Sequence, residues 1–141
     1  KLESEKENLI DNIWPDQPTK PNSKVYEYPI TYAGVEIKEK INLCKTFIKD
    51  NGGEALLITD SMSVCWLLNI RASDLEFTPV LLAHALVTLD EVVLFCDADR
   101  IDTKMSNSFR AIVDLLPISE FETKVKSFRS YYLKKNGLAR I

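Results

Sequence analysis

The chain has 141 residues, the usual size of one domain, and is 45% hydrophobic and 28% charged. Its net charge of -3 comes from 18 basic and 21 acidic residues that are interspersed along the sequence. This balance lacks the clustered basic face that nucleic-acid binding needs, and no apolar run approaches the ~20 residues of a membrane-spanning helix. We therefore expect a cytoplasmic globular domain that binds neither nucleic acid nor membrane. The highly charged residues 1–8 do not resemble a secretory signal.

The chain contains three cysteines and one histidine. An odd number of cysteines without paired spacing argues against a disulfide framework, and Cys44, Cys65 and Cys96 stand in apolar surroundings. We interpret them as buried free thiols of a protein in a reducing compartment. His84 lies in an apolar, strand-like run, which favours a core or interface residue over a catalytic base.

The N-terminal part of the sequence predicts a helix followed by an extended arm. Residues 1–14 carry charges and then an apolar stripe at helical spacing, which Pro15 ends. Prolines at positions 15, 18, 21 and 29 exclude a helix or a central strand in the next stretch. We therefore interpret residues 1–29 as a lead-in helix and a proline-rich arm.

The segment after Gly34 predicts an amphipathic helix. Its apolar residues recur at helical spacing, and two successive glycines, at positions 52 and 53, end the pattern. The positions predicted to face the core are Ile37, Ile41, Cys44 and Ile48. A short strand, Ala55–Thr59, follows, and Asp60 or Ser61 can cap a second helix that extends to about Leu68.

The second half of the chain predicts three strands and a helix. Leu81–Leu89 and Val92–Cys96 flank a turn at positions 90 and 91, and Ile112–Leu116 is a further strand. Ser119 and Glu122 form a capping box at the start of a helix that Gly137 ends, and a new strand starts after it. The buried face of this helix is predicted to contain Phe121, Val125, Phe128 and Tyr132. Helices alternating with strands, two of them adjacent along the chain, predict an α/β fold in which helices flank a mixed β-sheet.

The catalytic patterns that we searched for are absent from the sequence. One histidine is too few for a histidine-rich metal site, and Asp97, Asp99 and Asp102 lack the glycine and glutamate of a calcium loop. The four glycines form neither a dinucleotide fingerprint nor a phosphate loop, and no G-x-S-x-G motif is present. We therefore predict no catalytic residue, no metal ligand and no cofactor in this chain.

One segment, from Trp66 to Pro79, places polar residues directly after an apolar run. Buried charged and amide groups need partners. Arg71 can form a forked ion pair with Asp74, or present its guanidinium to a carboxylate elsewhere. The residues alone favour a salt-bridged loop that anchors the sheet.

The same segment carries a family resemblance. Val64–Asp90, VCWLLNIRASDLEFTPVLLAHALVTLD, resembles the hallmark of the middle domain of Xaa-Pro aminopeptidases (aminopeptidase P), in which W-L-x-N-x-R-G-S-D precedes a P-V pair and an apolar strand. Asn8–Pro21, NLIDNIWPDQPTKP, is similar to the segment leading into that domain, and Tyr32–Ile41, YAGVEIKEKI, to its first helix. Phe95–Ile101, FCDADRI, matches the end of a strand in the family.

Two positions depart from the family pattern. Ala72 stands where the family usually has glycine, so we expect a turn that needs positive φ there to be altered or strained. His84 replaces what is often a tyrosine.

The resemblance implies a creatinase N-terminal-type fold with ribonuclease H-like layering over residues 30–141, cut short at its last strand. It also implies a further catalytic domain of the pita-bread type, which holds two divalent metal ions, manganese above all, and removes an N-terminal residue that precedes proline. The implied partners are that catalytic domain, proline-containing peptides and a second copy of the protein.

Within this chain, the resemblance points to Trp66, Asn69, Arg71 and Asp74 as residues at the substrate entrance or at the interface with the catalytic domain. The function that it implies is a non-catalytic middle domain that shapes substrate access and packs on the catalytic domain. The alternative is a stand-alone binding module derived from a split or degraded aminopeptidase gene.

Overall fold

The structure, a computed structural model, describes residues 8–102, 105 and 107–136. The strands in this part of the chain are β1 (Tyr26–Glu27), β2 (Ala55–Ile58), β3 (Ile70–Arg71), β4 (His84–Thr88), β5 (Val92–Phe95) and β6 (Asp114–Leu116). The α-helices are α1 (Ile30–Ala33), α2 (Ile37–Asp50), α3 (Ser61–Leu68), α4 (Asn107–Arg110) and α5 (Phe121–Asn136). Short 3-10 turns lie at Ala98–Arg100 and Ile118–Glu120.

The main sheet is mixed, as predicted, with the strand order β2-β4-β5-β6. β4 runs antiparallel to both β2 and β5, and β5 runs parallel to β6. β1 and β3 form a separate antiparallel pair in which Tyr26 lies opposite Arg71. This small pair joins the arm to the segment that follows α3.

Helices cover both faces of the main sheet. Successive side chains of a strand point to opposite faces, so each strand contributes to both. The first face packs on α2 and α3 and contributes Leu56, Ile58, Ala85, Val87, Val92, Leu94 and Leu115. The second face packs on α5 and contributes Ala55, Leu57, Leu86, Val93, Phe95 and Leu116. Among the described helices, none is both long and apolar enough to span a bilayer.

Most predicted elements are confirmed, although some begin later than expected. α2 packs Ile37, Ile41, Cys44 and Ile48 on the first face, at the predicted positions. Asp60 caps α3, because its carboxylate accepts a hydrogen bond from the Ser63 backbone N–H at 2.8 Å. The three cysteines are free, and Cys65 and Cys96 are buried.

The predicted N-terminal helix is wrong where it can be compared with the structure. Residues 9–13 form turns, and Leu9, Ile13 and Trp14 are exposed. Helices shorter than about 12 residues are marginal without tertiary packing, and the described part of the chain leaves this apolar stripe exposed. Residues 1–7 lie outside the described part. After turns at residues 15 and 16, the arm contains no helix before α1, and its Val25 is buried beside Ile101.

The start of α5 differs from the predicted capping box. The helix begins at Phe121 after a 3-10 turn, and the Glu122 carboxylate accepts a hydrogen bond from Lys126 Nζ at 2.6 Å instead of returning to Ser119. The predicted stop at Gly137 and the strand after it lie outside the described residues.

Of the two outcomes expected at Ala72, an altered turn or a strained one, the strain does not occur. Among the described non-glycine residues, positive φ occurs at Asn69 and Phe77, so Ala72 adopts an ordinary backbone conformation. Its methyl group is fully buried in the core of the first face. A residue without a long side chain is therefore needed there for space, and glycine's conformational freedom is not required.

Candidate functional site

The four predicted site residues lie in two separate polar networks. Trp66, Asn69 and Arg71 surround the C-terminal end of α3, whereas Asp74 lies where the arm crosses the loop after β3. The first network includes exposed groups and is the candidate site. The second network is buried and anchors the arm.

Asn69 ends α3 in the left-handed conformation, with φ of 49°. Its backbone N–H points at the carbonyls of Cys65 and Trp66. Its side-chain oxygen accepts a hydrogen bond from Lys40 Nζ at 2.6 Å, and its amide nitrogen donates to the Val35 carbonyl at 2.9 Å. One asparagine thus closes the helix and links it to the start of α2.

Lys40 is a buried lysine at the centre of this network and was not predicted. Its Nζ donates to the Trp66 carbonyl at 2.7 Å and lies 4.5 Å from the centre of the Trp66 ring. Burial lowers the pKa of the Lys40 amine, and the positive charge of Arg71 lowers it further. The sequence could have indicated the burial of Lys40, because Lys40 directly precedes the core residue Ile41 at the edge of the apolar face of α2.

Arg71 is half-buried and is held by neutral groups. Its Nη1 donates to the carbonyls of Cys65 and Ile70, at 3.0 and 2.8 Å. The guanidinium lies 4.3 Å from the centre of the Tyr28 ring, within cation–π range. The side chain also lines an open cavity of about 210 Å³, whose other walls are Met62, Cys65, Thr78, Pro79 and Val80.

Asp74 pairs with Arg100, so the expected forked pair between Arg71 and Asp74 is not formed. Arg100 Nη2 lies 2.6 and 2.7 Å from the two carboxylate oxygens, and the Asp74 side chain is fully buried. Ser23 and the Leu82 backbone N–H donate to the same carboxylate. Burial alone would raise the pKa of Asp74, but these hydrogen bonds and the charge of Arg100 lower it overall.

The partners of Asp74 tie the arm to the body of the domain. Arg100 Nε donates to the Ser23 carbonyl at 3.1 Å, and the Ser23 hydroxyl accepts from the Ser73 backbone N–H at 2.9 Å. Sequence reasoning missed Arg100 and Ser23, because their separations from Asp74 along the chain are long and no local pattern links them. Asp74 therefore holds the loop in place from within the core.

The described residues do not fit a metal centre. No group of three or more histidine, cysteine, aspartate or glutamate side chains converges within residues 8–102, 105 and 107–136. His84 is half-buried and packs its ring 4.7 Å from that of Phe121. Burial raises the pKa of the Cys96 thiol to about 11, so this cysteine is not a thiolate near neutral pH.

Comparison with known proteins gives a consistent result. The sequence model of the creatinase/prolidase N-terminal domain matches residues 16–139. A probable Xaa-Pro aminopeptidase P of Laccaria bicolor is 42% identical over 103 residues, which are 72% of this chain and 16% of the relative. The Xaa-Pro aminopeptidase ApepP of Drosophila melanogaster is 34% identical over 68% of this chain and 16% of its own length. The chain thus spans about one sixth of these relatives.

A solved structure has the same fold. The X-prolyl aminopeptidase from Caenorhabditis elegans, described as a cytosolic enzyme with a di-nuclear active site, superposes with a TM-score of 0.84 at 24% sequence identity. The superposition covers 94% of this chain and 22% of that protein. The predicted creatinase N-terminal-type fold is therefore confirmed.

Proposed function

Because the chain belongs to the creatinase/prolidase N-terminal domain family, we propose that it serves as a non-catalytic domain of an Xaa-Pro aminopeptidase. The observations that carry the proposal are the match of residues 16–139 to one domain model and an alignment that covers only 16% of the L. bicolor relative. The complete enzyme would remove an N-terminal residue that precedes proline. It would act in the cytoplasm, as the description of the C. elegans enzyme as cytosolic suggests.

In this proposal, the catalytic chemistry lies outside the chain. A catalytic domain would hold two divalent metal ions, for which we propose manganese, and would bind the proline-containing peptide. The complete protein would form a homodimer, as the family resemblance implies.

The contribution of this chain would be to shape access to the catalytic cleft and to pack on the catalytic domain. The end of α3 suits that role, because Lys40 and Asn69 fix the backbone on which Trp66 and Arg71 are presented. Trp66 is 53% exposed, and Arg71 lines an open cavity. Asp74 would act indirectly, by holding the loop after β3.

The first test is the mass of the native protein in a lysate of its source cells, measured by immunoblot against this chain. We expect a band several times heavier than 16.1 kDa. A band near 16.1 kDa would instead support a stand-alone binding module.

The second test addresses Arg71 in the complete enzyme. Replacing Arg71 with Ala should lower kcat/KM for a proline-containing peptide by about tenfold, the value of one charge-assisted hydrogen bond. Unchanged kinetics and unchanged folding would remove Arg71 from the site. Lys126→Ala, which removes an exposed charge from α5, is the matched control.

A further inference from the structure

A continuous exposed surface lies around the Arg71 cavity. It is formed by the outer side of α3 and the loop at residues 73–80, and we call it the α3–loop patch. Met62, Trp66, Leu75 and Phe77 are 65, 53, 46 and 95% exposed. The cavity beside Arg71 and the cavity under the loop share two wall residues, so they form one surface. Single exposed apolar residues are ordinary, whereas these four lie on one helix and on the loop whose cavity adjoins the Arg71 cavity.

Phe77 is the most informative residue of the patch. It adopts a φ of 61°, a conformation that a bulky side chain rarely takes. The loop is nonetheless tightly built, because Leu75 and Thr78 form a bridge and the Asp74 N–H donates to the Val80 carbonyl. The loop thus holds an almost fully exposed aromatic side chain in a strained backbone conformation. Strain of this kind clusters at functional positions such as active sites, ligand clamps and switch regions.

The charge beside the patch is also uncompensated. Lys40 and Arg71 donate hydrogen bonds only to neutral acceptors, and neither forms an ion pair with a carboxylate among the described residues. The carbonyls at the C-terminal end of α3 carry roughly half a unit of negative charge, so they offset only part of the positive charge of Lys40 and Arg71. Two acidic residues near the arm and the start of α2, Glu27 and Glu36, line a different cavity, on the Asn69 side. Because Lys40 is buried, Arg71 is the cation that an anion can reach.

We infer that the α3–loop patch is the surface on which the catalytic part of the same polypeptide docks, and that a carboxylate from that part binds Arg71. This inference rests on the proposed function. The positive charge of the Arg71 guanidinium is complementary to a carboxylate, and a protein surface can cover the exposed apolar side chains. The relatives supply such a partner, since more than four fifths of their length lies outside the matched region. A tethered domain also meets the patch at high effective concentration.

Zero-length cross-linking tests the inference in the full-length polypeptide. The Arg71→Lys variant places a primary amine at the site, and a water-soluble carbodiimide joins an amine to a carboxylate only when the two are in contact. Cross-linked peptides are then identified by mass spectrometry. Arg129→Lys is the matched control, because Arg129 is exposed on α5, which packs on the opposite face of the sheet.

The expected result is a link from position 71 to an aspartate or glutamate outside residues 1–141, with no such link from position 129. Links from native lysines of this chain to the catalytic part, without one from position 71, would overturn the inference and leave the proposed function intact. No link of any kind between the two parts would count against both. A link to the C-terminus of an added proline-containing peptide would reassign Arg71 to substrate binding and also overturn the inference.

A Phe77→Gly variant gives a second, independent readout. In the isolated chain it should raise the urea midpoint of unfolding, because glycine adopts positive φ without strain. In the full-length polypeptide it should speed proteolytic cleavage between this domain and the catalytic part by about tenfold or more, because a buried aromatic contact is lost. Leu43→Ser, which removes an exposed apolar side chain from α2, should do neither. A lower midpoint in the isolated chain would show that Phe77 stabilises its own loop, and would contradict the docking role.

Discussion

At the scale of single residues, the domain depends on polar side chains that are buried with their partners. Lys40, Asn69, Asp74 and Arg100 are each less than 10% exposed, and each has hydrogen-bond partners from a distant part of the chain. Burying such groups is costly unless they are paired. Each of these groups therefore stabilises the fold only together with its partner. Replacing one member of a pair should lower the free energy of unfolding by more than the intact pair contributes, because the other member is left buried without a partner.

The first prediction concerns the buried ion pair. Asp74→Asn removes the carboxylate charge and leaves Arg100 buried without a counter-ion, so the free energy of unfolding should fall by about 3 kcal/mol at pH 7. Urea denaturation of the chain measures this change. Asp16→Asn, at an exposed position of the arm, should change the free energy of unfolding by less than about 0.5 kcal/mol.

The second prediction is the pH dependence of the same pair. The folded state lowers the pKa of Asp74, so the unfolded state binds more protons once the pH falls below about 4, the ordinary aspartate value. The stabilisation is therefore complete above that pH and is lost as the pH falls through the folded-state pKa. Wild type should lose more stability on acidification than Asp74→Asn. Parallel curves for the two proteins would show that Asp74 does not titrate with folding.

At the scale of secondary-structure elements, the residue that ends α3 must adopt a left-handed backbone conformation and must also form hydrogen bonds through its side chain. Asn69 supplies a left-handed conformation and also bonds Lys40 and Val35. Glycine meets only the first requirement, and alanine meets neither. This difference separates the two contributions experimentally.

The third prediction is an order of stability at position 69. Asn69→Gly should be less stable than wild type, and Asn69→Ala should be lower again by about 1 kcal/mol, the cost of left-handed backbone for a residue with a Cβ. Thermal and urea denaturation of the three proteins measure the order. Equal stabilities of the glycine and alanine variants would mean that the backbone at position 69 can leave the left-handed conformation without cost.

Aromatic side chains attach α5 to the sheet. Phe128 is its buried anchor on the second face of the sheet, with Phe121 and Tyr132 packed beside it, and Lys124 Nζ pairs with Glu91 at 2.9 Å. The ion pair is partly exposed and contributes little. Packing of the aromatic side chains therefore holds the helix on the sheet.

The fourth prediction follows from that packing. Phe128→Ala should lower the free energy of unfolding by about 3 kcal/mol, because it leaves a cavity against Phe95 and Leu86. Arg129→Ala, on the exposed side of the same helix, should change it by less than about 0.5 kcal/mol. Faster amide exchange confined to α5 in Phe128→Ala would show local detachment of the helix.

At the scale of the whole molecule, the proposed division of roles makes the chain independent of metal. The fifth prediction is that a chelator leaves the melting temperature of this chain unchanged, because no converging ligand set is formed among the described residues. The same chelator should abolish cleavage of a proline-containing peptide by the full-length enzyme. A metal-dependent shift in the melting temperature of the chain would reveal a site that the described residues do not contain.

Local patterns in the sequence predicted the fold well. The apolar spacing of α2, the Asp60 cap of α3 and the two apolar runs of β4 and β5 are signals within a few residues, and the structure confirms them. The helix predicted before Pro15 failed because a local apolar stripe forms a stable helix only when another surface covers it. The motif around Arg71 identified the family, but it could not identify the partner of Asp74.

The sequence by itself therefore determined the elements, the mixed sheet and the family, since these depend on periodicity, caps and short motifs. Only the tertiary structure decided which charges meet. Lys40 reaches the end of α3 from α2, and Arg100 reaches Asp74 from a separation of 26 residues. Such pairs form wherever the packed sheet brings two segments together, and their spacing along the chain carries no periodic signal. The same reason explains why Arg71 faces an open cavity without a carboxylate, a property that no local pattern could predict.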